Sequence, residues 1–271
     1  MPAATFNAVA PAIAFDTVVS GPMFYVVGFA INQKLMALPD KIARAHLKRQ
    51  VPDPELRAKL TPDYDFGCKR PTFSNDYYPT LTRSDVHLET APIDHVDAAG
   101  VVTVDGGRAD LDVLVLATGF NLWETNFPAI EVVGREGRDL GQWWRATRFQ
   151  AYEGITVPKF PNFFSLNSPY SYSGLSYFTT IETQMAHMER LLGAMQEQGA
   201  ATFEVTEEAN DAFLERMRGL LRNSVFNAGS CASARSYYFN QHGEAVLLRP
   251  SSTRAAHREA TRFPLADYAL T

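Results

Sequence analysis

The sequence lacks a membrane-spanning run. Phe24 to Ile31 is apolar, but eight residues fall far short of the length a bilayer needs. No Lys or Arg occurs before Lys34, so the cationic start of a secretory signal is missing as well. Membrane insertion and export are therefore not expected. Cysteine is scarce: Cys68 and Cys231 form neither a metal-binding spacing nor a disulfide framework. The pair reads as reduced thiols packed in a cytosolic (cytoplasmic) protein. The six histidines are scattered, with no pair at ligand spacing on one helix face, so no metal site is predicted. No basic run with interleaved aromatics occurs, and the formal net charge is -5, which argues against a nucleic-acid partner. The glycines at 134, 137 and 141 do not make a Gly-x-Gly-x-x-Gly turn, and no such turn occurs elsewhere.

What is present is globular. The 271 residues, 46% apolar and 20% charged, are ample for one large domain or two small ones. The apolar run Leu111 to Phe120, ending in Thr118-Gly119, reads as a strand buried on both faces, as in a parallel sheet covered by helices. Small residues at its carboxyl end let a backbone or a flat ligand come close. Earlier, Gln33 to Arg49 has the pattern of an amphipathic helix, closed by Pro52 and Pro54. Val86 to Glu89 alternates like a strand, and residues 92–104 read as a hairpin around Ala98-Ala99-Gly100. A short helix is expected near Trp143, and Phe163 to Asn167 reads as another buried strand. Phe178, Ile181, Met185, Met188, Leu192 and Met195 then repeat at spacings of three and four, which predicts a long helix with one buried stripe. Thr206 caps a second helix whose stripe is Phe213, Met217, Leu220 and Leu221. Residues 224–268 read as loops and short strands.

Three segments carry candidate chemistry. Lys69-Arg70 lies in a proline-bounded loop. It is either a pair of solvated cations or a division of labour, with Lys as a point charge for a phosphate and Arg as a permanent planar cation. An oxygen-activating flavin needs such a fixed cation beside its ring. The loop from Ser168 to Ser176 is a strand-to-helix connection whose small residues let backbone amides meet a ring or phosphate oxygen. Tyr237 is either a packed core tyrosine or an aromatic platform over a cofactor.

Asp112-Val113-Leu114-Val115-Leu116-Ala117-Thr118-Gly119-Phe120 closely resembles the segment that closes the nicotinamide-domain excursion in class B flavin-dependent monooxygenases, the Baeyer–Villiger and related enzymes. Gly67-Cys68-Lys69-Arg70, followed by Asp76-Tyr77-Tyr78-Pro79, resembles the same family, as do Ser236-Tyr237-Tyr238 and His242-Gly243. The resemblance covers roughly residues 33 to 268. It implies an α/β fold: part of a two-dinucleotide-binding-domain flavoprotein that lacks the amino-terminal FAD fingerprint and carries helical additions. Residues 1–60 would be a helical remainder of the nicotinamide domain, so that Met1 begins inside it. Residues 61–120 would end the NADPH-binding domain and make the return strand, and residues 121–271 would form the carboxy-terminal part of the FAD-binding domain with covering loops.

The resemblance further implies FAD and NADPH as cofactors, and a ketone or a soft heteroatom oxidised with molecular oxygen through a peroxyflavin. Arg70 would be the catalytic cation, and Lys69 would hold the 2′-phosphate of NADPH. Thr118, Gly119, Ser173, Gly174, Leu175 and Tyr237 would line the cofactors. Two positions depart from the family pattern: Ser168 stands where Gly is common before the proline, and Tyr237 where many members have tryptophan. Without a glycine fingerprint the ADP half of FAD has no recognisable cradle. The alternative expectation is therefore a truncated, non-catalytic chain, or a half that needs a separate amino-terminal partner.

Overall fold

Asp53, Asp139, Ser176, Thr206 and Ser252 each stand immediately before a helix and accept a hydrogen bond from an amide in its first turn. These caps satisfy donors that the helix itself cannot. The computed structural model describes residues 32–69, 72, 74–124, 127–172, 176–227, 229–234 and 236–271, and these caps mark five of the seven α-helices among them. The helices are α1 (Ala37–Gln50), α2 (Pro54–Leu60), α3 (Tyr77–Leu81), α4 (Leu140–Ala146), α5 (Tyr177–Gln198), α6 (Glu207–Leu221) and α7 (Thr253–Arg262). Pro54 does not close a helix as the sequence predicts. It occupies the first turn of α2 behind the Asp53 cap, where its missing N–H costs nothing.

The chain divides into two compact units. The first contains residues 41–62 and, of those described, 72–120. Leu47 of α1 and Val51 just after it pack with Tyr78 of α3, and Leu56, Leu60 and Tyr77 flank them. The predicted hairpin is present as antiparallel β1 (Ile93–Val96) and β2 (Gly100–Thr103), and β3 (Arg108–Asp110) extends it. Arg108 grips the Asp97 carboxylate with both terminal nitrogens at 2.8 and 3.1 Å, which fixes the turn that reverses the chain. Residues 86–89, expected as a strand, are irregular.

Residues 111–120 do not form a buried strand. The run pairs with no other strand among the described residues, and every one of its side chains is exposed, Val115 at 79% and Phe120 at 83%. A strand apolar on both faces needs a neighbour on each edge and cover on each side, and the described residues supply neither. A parallel sheet is likewise absent among them.

The second unit contains residues 32–40, 63–69 and, of those described, 121–271. Its core gathers Trp123, Trp144, Phe149, Leu191, Phe213 and Met217. Trp144 stacks on Phe127 with ring centroids 5.4 Å apart and donates its indole N–H to the Gln150 carbonyl at 2.8 Å. β4 (Phe203–Val205) pairs antiparallel with β5 (Tyr268–Leu270), drawing the chain end onto the core. Phe163 to Ser165 is irregular and Leu166-Asn167 is a turn, so no strand forms there; Asn162 and Asn167 adopt φ of 54° and 52° and break the extended backbone. The long helix α5 is where the sequence places it, but its buried face is turned away from the expected stripe, of which Ile181, Met188 and Met195 are half-buried. Thr180, Thr183, Gln184, His187, Leu191 and Ala194 face inward, while Phe178, Met185 and Leu192 are exposed.

The cysteines are not reduced thiols. Cys68 and Cys231 form a disulfide with Cα atoms 5.0 Å apart, and both residues are buried. Their separation of 163 residues leaves no trace in sequence spacing. Among the described residues no helix is long and apolar enough to cross a membrane.

Candidate functional site

Lys69 follows Cys68 directly, so the disulfide fixes the backbone from which the lysine extends. Ser230, beside Cys231, reinforces the joint by donating to the Asp65 carboxylate at 2.7 Å and accepting from the Asp65 amide at 3.4 Å. The Cys68-bearing loop is thus held to the 3-10 turn Gly229–Ala234 by one covalent and two polar links. Lys69 is half-buried, and its Nζ lies 4.8 Å over the Tyr64 ring. That face attracts the ammonium without neutralising it. Arg70, the expected catalytic cation, lies outside the described residues.

Tyr237 stands a few residues beyond the same turn. Its side chain is 39% exposed and leans on Tyr238 at a centroid distance of 4.8 Å, while its carbonyl accepts the Trp123 indole N–H at 3.0 Å. A half-open ring anchored through its backbone can offer a flat surface to a ligand. Lys69 and Tyr237 therefore belong to one unit and one disulfide-linked scaffold. Thr118 and Gly119 belong to the other unit and are exposed, Gly119 with a φ of 93° that favours glycine.

Ser173, Gly174 and Leu175 lie outside the described residues, but both flanks of that loop are well defined. On the near side the amides of Tyr170 and Tyr172 donate to the carbonyls of Val246 and Leu247 at 2.7 and 3.3 Å, and the Arg249 amide donates to the Tyr172 carbonyl at 2.8 Å. Gly154, at a φ of 73°, lies so close to Ser171 that a Cβ there would stand 2.6 Å from the Ser171 Cα. On the far side Ser176 caps α5. The same short stretch carries three buried polar atoms, Asn167 Oδ1, Ser168 Oγ and Ser171 Oγ, that find no hydrogen-bond partner among the described residues. Orphaned buried polar atoms are rare in finished interiors.

Beneath this loop lies an ion network that the sequence does not advertise. Arg249 is buried and binds the Glu153 carboxylate at 2.5 Å and the Glu153 carbonyl at 3.3 Å, with Glu259 on the same guanidinium. Arg216 bridges Glu259 and Glu153 at 2.9 and 3.4 Å. Burial pushes the Glu153 carboxyl up, and Arg249 opposes that push. Alongside, Gln184 donates to the Gly154 carbonyl at 2.6 Å and accepts from the Asn167 amide at 3.1 Å. His187 shares a 2.7 Å hydrogen bond with the Tyr268 hydroxyl, and burial drives its pKa down to about 3. These residues position the loop and do not form part of its surface. Glu153 and Arg249 are 96 positions apart, so no spacing pairs them.

Comparison with known proteins gives the arrangement a context. No protein-family model matches the chain. It is 34% identical over 248 residues to a Baeyer-Villiger monooxygenase of Pseudomonas aeruginosa, covering 91% of this chain and 46% of that protein. A Baeyer-Villiger monooxygenase of Streptomyces coelicolor is 32% identical over 246 residues, with shares of 90% and 46%. In structure it resembles an oxidised steroid monooxygenase bound to NADP, with a TM-score of 0.77 and 27% identity over 90% of this chain and 46% of the other. A second structural neighbour is OTEMO in complex with FAD and NADP, with a TM-score of 0.77 and 25% identity over the same shares. These folds are mixed α/β. The chain spans a little under half the length of the relatives it matches, and the part it matches is the carboxy-terminal half of the class B flavin-dependent monooxygenases.

Proposed function

We propose that this chain is the carboxy-terminal part of an FAD- and NADPH-dependent monooxygenase that inserts oxygen into ketones or oxidises soft heteroatoms. The similarity to Baeyer-Villiger monooxygenases sustained over 248 residues carries the reading. In fold terms the chain would be part of a two-dinucleotide-binding-domain flavoprotein, with the end of the nicotinamide domain in the first unit and the carboxy-terminal part of the FAD domain in the second.

The residues present suit half of such a site. The Asn167, Ser168 and Ser171 oxygens, without a partner among the described residues, stand beside the loop expected to meet the flavin, as they would if a polar group were to complete them. Lys69, fixed by the disulfide at its shoulder, would bind the 2′-phosphate and so select NADPH over NADH. Tyr237 would cover the cofactor with its half-exposed ring. Arg70 would hold a permanent positive charge at the reacting centre. FAD, when bound, supplies the redox chemistry with oxygen. The chain's own residues orient the cofactors and exclude water.

A second reading, a half that does not act until an amino-terminal partner joins it, is favoured by the bare apolar run at 111–120. A flavin titration separates the two. With an amino-terminal half of a relative present, the oxidised-flavin absorbance bands should shift on binding, and NADPH should bleach them. Lys69→Ala should weaken NADPH by about tenfold to a hundredfold, about 1.4–2.7 kcal/mol, and leave NADH unchanged. Stoichiometric FAD binding by the chain alone would sink the half-enzyme reading. No flavin binding by the joined halves would sink the enzymatic one.

A further inference from the structure

Within the second unit, α6 and α7 border a cleft of about 580 Å³, and none of the residues expected to hold a cofactor lines it. Arg216 of α6 reaches Glu259 of α7 at 2.9 Å, which holds the two helices as walls of one cavity. The floor is apolar, with Ala209, Ala212 and Phe213 on one face of α6 and Phe263 and Pro264 just past α7. Side chains no larger than a methyl at 209 and 212 leave the space open. The rim is cationic: Arg258 and Arg262 of α7 join Arg216 there. They are four residues apart, so they share one face of α7, about 6 Å from each other along its axis.

The charges of this cleft do not balance. Its carboxylates are Glu153, Glu259 and Asp267. Arg249 and Arg216 hold the first two, and the Tyr152 hydroxyl donates to Asp267. Arg258 and Arg262 are exposed, and neither guanidinium makes an ion pair or a hydrogen bond with any described residue. Arg254 extends the row by one turn, and like charges at this spacing weaken a helix. The negative end of the helix dipole accounts for Arg262, in the last turn, but not for Arg258.

We propose that this cleft binds an apolar carboxylate, its head on Arg258 and Arg262 and its hydrocarbon body on Ala209, Ala212 and Pro264. The paired donors of a guanidinium match the two oxygens of a carboxylate. Counting Arg249, buried against Glu153, four arginines face three carboxylates, a surplus of one positive charge. A monoanion neutralises that surplus. A phosphate monoester, with about two negative charges, would exceed it beside Asp267. The volume falls within the range of small-molecule sites. This site goes beyond the functional reading above and does not depend on it.

The test titrates the whole chain with phenylbutyrate by isothermal calorimetry at physiological salt, with phenylbutyramide and inorganic phosphate for comparison. Phenylbutyrate should bind one-to-one with a Kd at or below about 1 mM, and the uncharged amide at least about tenfold more weakly. The double variant Arg258→Gln, Arg262→Gln should lose about tenfold or more in affinity. Arg254→Gln removes one charge of the same row outside the cleft and should stay within about twofold of wild type. Ala212→Phe fills the floor, keeps every charge and should abolish binding. All four positions are exposed, so circular dichroism of the variants should match the wild type. If the double variant does not fold, Ala212→Phe decides alone. No binding by the wild type, equal binding of acid and amide, or retained binding in Ala212→Phe overturns the site. An equal loss in Arg254→Gln overturns it in favour of a diffusely charged face. Tighter binding of inorganic phosphate than of phenylbutyrate overturns the carboxylate.

Discussion

The guanidinium of Arg249 and the carboxylate of Glu153 meet at 2.5 Å with both residues buried, and together they prop the turn at Gly154 against the loop at Ser171. Removing Arg249 leaves the buried Glu153 carboxylate with only the longer 3.4 Å contact to the exposed Arg216, which costs more than the pair contributes. Arg249→Met should therefore destabilise the second unit by about 3–5 kcal/mol, read as a lower urea midpoint. A shift below roughly 1 kcal/mol, the size of an exposed pair, would show that water reaches the site.

The disulfide makes a second prediction. A thiol-reactive dye in denaturant should find no free thiol until reductant is added, and then both cysteines. Cross-linking residues 163 apart restricts the unfolded chain strongly. The chain-entropy model puts the stabilisation at about 5 kcal/mol. Cys231→Ser should show most of that loss, together with faster proteolysis in the Cys68 loop.

His187 sets a pH dependence. Its ordinary pKa of 6.5 falls to about 3 in the folded state, chiefly because burial disfavours the imidazolium. The unfolded chain therefore binds the proton more readily between those values. The stability due to a neutral His187 is complete above pH 6.5 and drains away as pH falls toward 3, at up to about 1.4 kcal/mol per unit. Urea midpoints at pH 7 and pH 5 should differ less in His187→Gln than in the wild type. An unaltered difference would assign the acid sensitivity elsewhere.

Two glycines should respond in opposite directions. Gly154→Ala introduces a Cβ against Ser171 at a φ of 73°, and about 2–4 kcal/mol should be lost. Gly193, inside α5, has open space where a methyl would go, with no atom within 4 Å, and Gly193→Ala should gain about 0.5–1 kcal/mol. Melting temperatures of the two variants check both signs.

Local signals are legible in the sequence, and burial is much less so. The hairpin at 93–103, the Thr206 cap and the extent of α5 follow from turn chemistry and period, which are short-range properties. The stripe of α5 and the run at 111–120 are equally plain as patterns. Periodicity, however, identifies an apolar face without saying what covers it, and here the described residues leave Phe178, Met185 and Leu192 of the stripe and all of the run exposed. Helix α7 is hard to see in the sequence because its buried side is only Ala256 and Ala260, too slight for an apolar stripe. The Ser252 cap and the four-residue spacing of those alanines are the clues to it. In the candidate site, Lys69 and Tyr237 stand out by residue type and by resemblance, whereas the Arg249 network and the disulfide join positions 96 and 163 residues apart. Contacts of that reach leave no mark on local composition.

The Cys68–Cys231 link also orders events during synthesis. At five to twenty residues per second, Cys68 leaves the ribosome on the order of ten to thirty seconds before its partner. Throughout that interval the Lys69 loop has no anchor. It becomes a defined element only once residue 231 has emerged, so a ribosome that stalls before that point releases a product whose Lys69 loop was never set in place.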